Sequence, residues 1–258
     1  MLPKKGKPLL WEELSWTEVQ ELTKTMKMAI LPCGAIEQHG PHLPLCVDTL
    51  DVYEVAKRIS AATGVPVLQP FWYGVSQRHG DFPGTIAFRP ETFMMAVLDI
   101  AHWLYKAGIR KLLLLNGHMW NIGSLQAVRD KILDEFPRDM RVRFMNWWEV
   151  SERVRNKAAE DNPEDPTWIH ANIAETSCVL AIRPDLVDMS KASNYDDIKV
   201  FWDYRMDQYT PTGIVGRKTT ESTAEWGEAL FQMVIEDLVP QIKEALEEQP
   251  RVKGDLFK

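Results

Sequence analysis

The chain shows a repeating pattern of short apolar runs followed by longer stretches with apolar positions three or four residues apart. Short apolar runs are typical of buried strands, and the longer spacing is typical of amphipathic helices. The pattern predicts strands at residues 26–34, 65–70, 109–118 and 140–148. It predicts helices at 49–62, 90–107, 121–136, 171–186 and 221–248, the first capped by Asp48 and ended by Gly64.

Strands that alternate with helices predict right-handed crossovers and a mostly parallel sheet with helices on both faces. The segment between 186 and 221 is polar and irregular. No internal repeat, low-complexity segment or linker divides the sequence. We therefore expect an α/β fold in a single domain over residues 1–258.

Composition narrows the class of protein further. The chain has 258 residues, 45% of them hydrophobic, and a net charge of −7, which argues against a dedicated nucleic-acid binder. Its N-terminus lacks the apolar core of a signal peptide, and no span approaches the ~18 apolar residues of a membrane helix. Three scattered cysteines suit reduced thiols better than disulfides. These features predict a soluble cytoplasmic protein without membrane or nucleic-acid partners.

Polar and aromatic side chains follow each predicted strand at the point where it ends. Carboxyl ends of parallel strands meet at one edge of a sheet, where ligand crevices form. We expect a crevice there that is lined by Glu37 and His39, Ser76 and His79, Asn116 and His118, and Trp147 and Trp148.

Five residues along the chain are candidate metal ligands, and each also has an ordinary structural interpretation. Glu37 and His39 lie two apart, so an extended segment would point both to one side, although a surface loop could do the same. Asp48 could serve only as a helix cap. His118 follows a buried strand, which favours a ligand over a core histidine. Glu175 is the sole carboxylate in an apolar, small-residue helix, where it is costly unless paired or metal-bound.

Oxygen and nitrogen ligands without thiolate suit Zn²⁺ or Mn²⁺ in a hydrolytic site. Two histidines and three carboxylates exceed the needs of one ion, and Asp48 could bridge a pair ~3.5–4 Å apart. Such ions would lower the pKa of a bridging water and polarise a carbonyl group. His170 and Glu149 are the nearby candidates for acid–base catalysis.

Four motifs, in order "GAIEQHGPHLPLCVD", "SQRHGDFPGT", "LLNGHMWN" and "AETSCVLAIRPDLVD", resemble those of the creatininase family of amidohydrolases. The resemblance covers residues 16–187. It implies a three-layer αβα sandwich, assembly as a homo-hexamer, and water attack on a non-peptide C–N bond of a small-molecule substrate such as a cyclic amide or formamide.

The same resemblance implies roles for individual residues. Glu37, Asp48 and His118 match the ligands of one metal ion, and His39, Asp48 and Glu175 match those of a second. His170 matches the histidine used in ring opening. Trp148 matches an aromatic residue of the substrate pocket.

The sequence departs from the creatininase pattern at positions that bear on substrate. Trp120 stands where true creatininases have a carboxylate of the metal shell, and Pro166 replaces an aromatic residue, with Trp168 close by. These departures argue against creatinine. They favour a planar heterocycle or aryl-amide in a pocket lined by Trp120, Trp147, Trp148 and Phe71, although core packing would explain the same aromatic residues. Ser76, His79 and Trp168 are further expected substrate contacts, with His79 equally suited to anchoring its loop.

Two other classes of function compete with the amidohydrolase. A dinuclear phosphoesterase would use similar ligands, but its Gly-Asp-x-x-Asp and Gly-Asn-His-Glu motifs are absent from the sequence. A metal-stabilised binding or scaffold protein without activity would explain the missing shell carboxylate. An amidase with Cys33 or Cys46 as nucleophile is a more distant alternative, because small core residues explain both.

Overall fold

The computed structural model describes residues 6–164, 169–197 and 201–250. Three parallel strands form its central sheet in the order β1-β2-β3: β1 (Met28–Cys33), β2 (Lys111–Asn116) and β3 (Arg141–Asn146). The strands are aligned so that Cys33, Asn116 and Asn146 pair at their carboxyl ends. The loops that follow the three strands therefore all begin at the same edge of the sheet.

Within the described ranges, α-helices connect and cover the strands: α1 (Trp16–Thr25), α2 (Val47–Thr63), α3 (Pro90–Ala107), α4 (Ile122–Glu135), α5 (Glu152–Ala158), α6 (Ile173–Ile182), α7 (Met206–Tyr209) and α8 (Ala224–Glu247). None of these described helices is both long and apolar enough to cross a membrane.

Alternating residues of the central strand face opposite layers of helices. Leu113 and Leu115 of β2 pack in one core with side chains of α2, α6 and α8. Leu112 and Leu114 pack in a second core with α3 and α4. Because side chains alternate across a strand, a strand buried on both faces reads as a continuous apolar run. The predicted αβα arrangement with a parallel sheet is confirmed.

The helix boundaries follow from local signals in most places. Helix α3 begins at Pro90 and ends before Gly108, whose φ of 105° is the left-handed conformation expected after a helix. Helix α1 was not predicted, although its capping box of Ser15 and Glu18 is visible in the sequence. Helix α6 is shorter than the predicted 171–186, since it ends at Ile182 before a 3₁₀ turn.

The prediction that Asp48 caps a helix is wrong. Helix α2 begins at Val47 with Cys46 as its N-cap residue, and no side chain caps it. Asp48 lies in the first turn, so its carboxylate is available for other contacts.

The predicted strand at 65–70 is also wrong as a regular strand. Val67 forms single parallel bridges to Ile30 of β1 and to Leu10. Pro66 and Pro70 lack the N–H groups that a continuous ladder needs, so pairing is interrupted.

Two glycines at the strand ends allow α2 to approach the sheet. A Cβ at Gly117 would lie 2.4 Å from the carbonyl oxygen of Asp48, and one at Gly34 would lie 2.6 Å from Cα of Thr49. Any larger residue would push the helix away. The first turn of α2, with Asp48, therefore sits directly over the ends of β1 and β2.

Candidate active site

A cavity of about 210 Å³ opens at the carboxyl ends of the strands. Its lining combines acidic and imidazole side chains on one side with indole rings on the other. The residues that matter below are Glu37, Asp48, Asp51, Arg78, His79, His118, Trp120, Trp147, Trp148, His170 and Glu175. The predicted convergence of the loops that follow the strands is thus found at this edge.

Asp48 lies between two histidines and presents a different oxygen to each. Its Oδ1 is 3.4 Å from Nε2 of His39, and its Oδ2 is 3.3 Å from Nδ1 of His118. All three side chains are buried. This is the arrangement expected of a carboxylate that bridges two metal ions.

His39 is oriented by a hydrogen bond on the far side of its ring. Its Nδ1 lies 3.1 Å from the backbone oxygen of Glu37 and donates to it. Nε2 then faces Asp48 and Oε1 of Glu175, the latter 3.9 Å away. Such a bond to the second nitrogen commonly orients metal-binding histidines.

His118 contacts the other carboxylate of the cluster. Its Nε2 is 3.1 Å from Oε2 of Glu37 and 3.2 Å from both the Val75 backbone oxygen and the Ser76 hydroxyl. Glu37 and Asp48 therefore face different nitrogens of this ring. For Glu37, Asp48 and His118 to bind one ion together, the His118 ring would have to turn so that a single nitrogen faces both carboxylates.

Glu175 is held at the start of α6 rather than in its interior. Its backbone N–H donates to the side chain of Asn172, the N-cap residue. Its Oε2 accepts a 2.5 Å bond from the N–H of Ala171, which has an unusual φ of 51°. The remaining oxygen points toward His39, and the side chain is 25% exposed.

The cluster carries polar atoms that the protein does not satisfy. Within the described residues, Oε2 of Glu37, Nε2 of His39 and Oδ2 of Asp48 are buried and make no hydrogen bond. The contacts of 3.1–3.9 Å among the ligand atoms bracket the ~3.3 Å between ligands of a tetrahedral ion bound at 2.0–2.1 Å. Buried, unsatisfied ligand atoms at this spacing fit divalent metal ions such as Zn²⁺ or Mn²⁺.

The protonation state of the metal-free cluster also fits a site for divalent metal ions. Burial raises the pKa of Glu37 to about 7. Burial opposes protonation of His39, but the charges of Asp48 and Glu175 outweigh it and raise its pKa to about 10. Burial also opposes protonation of His118, but the negative charges of Glu37 and Asp48 outweigh it and raise the pKa of His118 to about 9. Without metal, these carboxylates hold protons on the histidines that a cation would replace.

His170 lies beside the cluster, three residues before the start of α6. Its Nε2 donates to the backbone oxygen of Gln38 at 2.7 Å, and its Nδ1 is 3.7 Å from Oε1 of Glu37. The ring packs at a tilt against that of His39 and edge-on against that of His79, with centroids 4.3 and 4.6 Å away. Ligand atoms of His39, His170 and Glu175 lie within 4.8 Å of one another, as do those of Glu37, His79 and His170.

The pKa of His170 departs from that of an ordinary histidine in the metal-free protein. Burial, together with the positive charge of His39, holds the pKa of His170 well below the ordinary value. Its ring is therefore neutral, with the proton on Nε2 and a lone pair on Nδ1.

The two polar residues predicted to contact substrate are placed differently. Ser76 is fully buried against His118 and does not line the cavity. His79 lines the cavity, with Nε2 3.6 Å from Oε1 of Glu37 and Nδ1 3.1 Å from the Gln38 side chain. Burial lowers the pKa of His79 to about 3, so its side chain lines the site as an uncharged imidazole.

The aromatic residues predicted for the pocket divide into three groups. Trp120, Trp147 and Trp148 line the cavity. Phe71 does not, because it packs edge-on against Phe93 in the core under α3, and its predicted place in the pocket is wrong. Trp168 lies outside the described residues.

Glu149 follows β3 in a 3₁₀ turn but points away from the cavity. Its side chain is exposed and accepts a hydrogen bond from Asn146. It does not line the cavity, which leaves His170 as the better-placed acid–base candidate.

Asp51 and Arg78 line the cavity and were not predicted from the sequence. Asp51 lies one turn after Asp48 on α2, is 1% exposed, and has an oxygen without a hydrogen-bond partner in the described residues. Its spacing of three from Asp48 was a visible signal, because it places both on one face of the helix. Arg78 had no comparable signal, since its partners come from distant segments.

Comparison with known proteins gives the family. The protein-family model described as creatinine amidohydrolase matches residues 12–242 of this chain. The chain is 29% identical to the creatinine amidohydrolase of Pseudomonas putida over 90% of its length and 95% of that enzyme. It is 28% identical to the mycofactocin precursor peptide peptidase of Mycobacterium tuberculosis over 89% and 90%. A 29% match to the 3-dehydro-scyllo-inosose hydrolase of Thermotoga maritima spans 69% of this chain but only 57% of that enzyme.

Solved structures agree with these matches. A crystal structure of creatinine amidohydrolase, 25% identical, covers 94% of this chain and 99% of its own, with a TM-score of 0.81. A structure described as creatininase Mn, also 25% identical, covers 94% and 100% with the same TM-score. The chain therefore belongs to the creatininase family of amidohydrolases, and it is an enzyme that hydrolyses carbon–nitrogen bonds other than peptide bonds.

Proposed function

We propose that this enzyme hydrolyses a cyclic amide, formamide or aryl-amide bond in a small planar substrate, using two Zn²⁺ or Mn²⁺ ions per chain. The observation that carries the proposal is the position of Asp48, whose two oxygens face His39 and His118 separately. Glu37 and His118 complete one proposed ligand group with Asp48, and His39 and Glu175 complete the other. When bound, the ions would supply an activated water and polarise the carbonyl of the substrate.

The protein's own part is to hold these ligands and to move protons. The leaving nitrogen needs a proton, because an expelled amide anion is too basic to depart unaided. His170 is the proposed carrier. Its free Nδ1 faces Glu37, and its Nε2–H is held by the Gln38 carbonyl, so the ring would first accept a proton at Nδ1 and then deliver it to the leaving group.

The substrate is proposed from the walls of the cavity. Trp147 and Trp148 present indole rings beside the carboxylate cluster, which suits a flat, partly apolar molecule. Trp120 stands where a creatininase carries a shell carboxylate, so creatinine is not the proposed substrate. By family resemblance we further propose a homo-hexamer in the cytoplasm, which light scattering of purified protein would test.

A turnover panel tests the function. Enzyme loaded with Zn²⁺ or Mn²⁺ would be assayed with creatinine, N-formyl amino acids, aryl-formamides, cyclic amides and p-nitrophenyl phosphate. The proposal predicts metal-dependent hydrolysis within the amide group and none of the phosphate ester. Preferred phosphate hydrolysis would indicate a phosphoesterase. A metal-loaded, folded protein inactive on every amide would favour a binding or scaffold role.

A further inference from the structure

Arg78 places a guanidinium group on the wall of the active-site cavity. Its Nη2 lies 2.9 Å from Oδ1 of Asp203, but within the described residues its buried Nη1 has no hydrogen-bond partner. The side chain as a whole is 27% exposed and lines the active-site cavity. Because Nη1 is buried, a ligand in the cavity would contact the exposed remainder of the side chain.

The guanidinium is fixed in place by an aromatic ring and an ion pair. It lies over the Trp120 indole, with Cζ 4.0 Å from the ring centroid. Asp203 takes the other edge of the fork, although this carboxylate is 80% exposed and an exposed ion pair alone contributes little to stability. Stacking and pairing together hold the plane of the group at the cavity wall.

Arg78 also lies beside the residues that contact the candidate metal ligands. Ser76 bonds to His118, and His79 approaches Glu37. Arg78 and the cluster line the same cavity, so a molecule bound at the cluster could extend toward Arg78.

We propose that Arg78 forms a subsite for a carboxylate group of the substrate, with Trp120 and Asp203 as its positioning residues. This inference deepens the proposed function and rests on it. An arginine fork matches the planar geometry of a carboxylate and makes shorter, stronger hydrogen bonds to it than to a neutral acceptor. It also assigns Trp120 a role: one face of its ring is covered by Arg78 and supports that residue.

Two ligands with the same formamide bond and different charge test the subsite. N-formylglycine carries a carboxylate, and N-formylglycinamide replaces it with a neutral amide. Isothermal titration of Zn²⁺-loaded enzyme should show N-formylglycine binding roughly 10–100-fold more tightly. Arg78→Gln should abolish that preference, and Arg78→Lys should retain only part of it. Arg129→Gln, which changes a half-buried arginine on α4 outside the cavity, should leave that preference intact.

Three outcomes would overturn the inference: no binding of N-formylglycine, equal binding of both ligands to the wild type, or a preference that survives Arg78→Gln in a protein with unchanged melting temperature. The last result would mean that the metal ions themselves bind the carboxylate. A preference lost in Arg78→Gln without turnover of either ligand would uphold the subsite and count against the proposed hydrolysis of formamides alone.

Discussion

Oδ1 of Asp48 lies 3.4 Å from Nε2 of His39, and this nitrogen has no hydrogen-bond partner among the described residues. Two local features produce the contact. Gly117 and Gly34 let the first turn of α2 descend onto the strand ends, and the bond from His39 Nδ1 to the Glu37 carbonyl turns Nε2 inward. The fold therefore brings a carboxylate and an imidazole together with their ligand atoms unsatisfied, which is the basis of the proposed metal centre.

The role of His170 can be tested by removing its imidazole. His170→Ala should lower kcat by roughly 10²–10⁴-fold, because the leaving nitrogen would lose its proton carrier, while metal content stays unchanged. His42→Ala is the matched control: His42 is also buried, bonds to Thr176 and does not line the cavity. That variant should lose stability but keep its kcat. A folded, metal-replete His170→Ala enzyme with normal kcat would require a second water molecule as proton donor.

Creatinine should be a poor substrate. Trp120 occupies the position of a shell carboxylate in creatininases and supports Arg78, so a small neutral ring finds neither its usual metal shell nor a carboxylate to offer the guanidinium. Trp120→Glu should reduce turnover of the native substrate and loosen Arg78, even if metal binds more tightly. Steady-state kinetics would decide this, and creatinine hydrolysis by the wild type at ~10 s⁻¹ or faster would contradict it.

The stability of the metal-free protein should fall as pH rises from 7 to 9. His39 and His118 have folded pKa values of about 10 and about 9, above the ordinary value of 6.5. A histidine whose pKa is raised by folding contributes stability that is complete below the unfolded pKa and is lost as pH approaches the folded pKa. Calorimetry in EDTA should show a falling melting temperature over this window.

Two comparisons check the assignment of that pH dependence. His39→Gln should flatten the slope, because one of the two titrating groups is gone. Added Zn²⁺ should raise the melting temperature more at pH 9 than at pH 7, since metal binds deprotonated histidine. A metal-free protein whose stability rises across this range, in wild type and variant alike, would contradict the proposed charge state.

Much of the fold could be predicted from local patterns, since strand β2 is apolar on both faces and Pro90 and Gly108 mark the ends of α3. The run at 65–70 has strand composition, but its prolines interrupt pairing, which periodicity alone does not reveal. At the site, the loops after the strands and the metal-ligating residue types indicated the cluster. Arg78 could not be predicted, because its setting depends on Trp120 and on Asp203, which is far along the chain.

The central claim is that Asp48 bridges two metal ions, and metal content per chain tests it most directly. Purified wild-type protein, reconstituted with Zn²⁺ or Mn²⁺, desalted and measured by inductively coupled plasma mass spectrometry, should hold close to two equivalents. Asp48→Ala should lose both ions, because each would lack a ligand. Asp51→Asn, one turn further along α2, should keep both. A folded Asp48→Ala protein that retains two equivalents would contradict the bridging role.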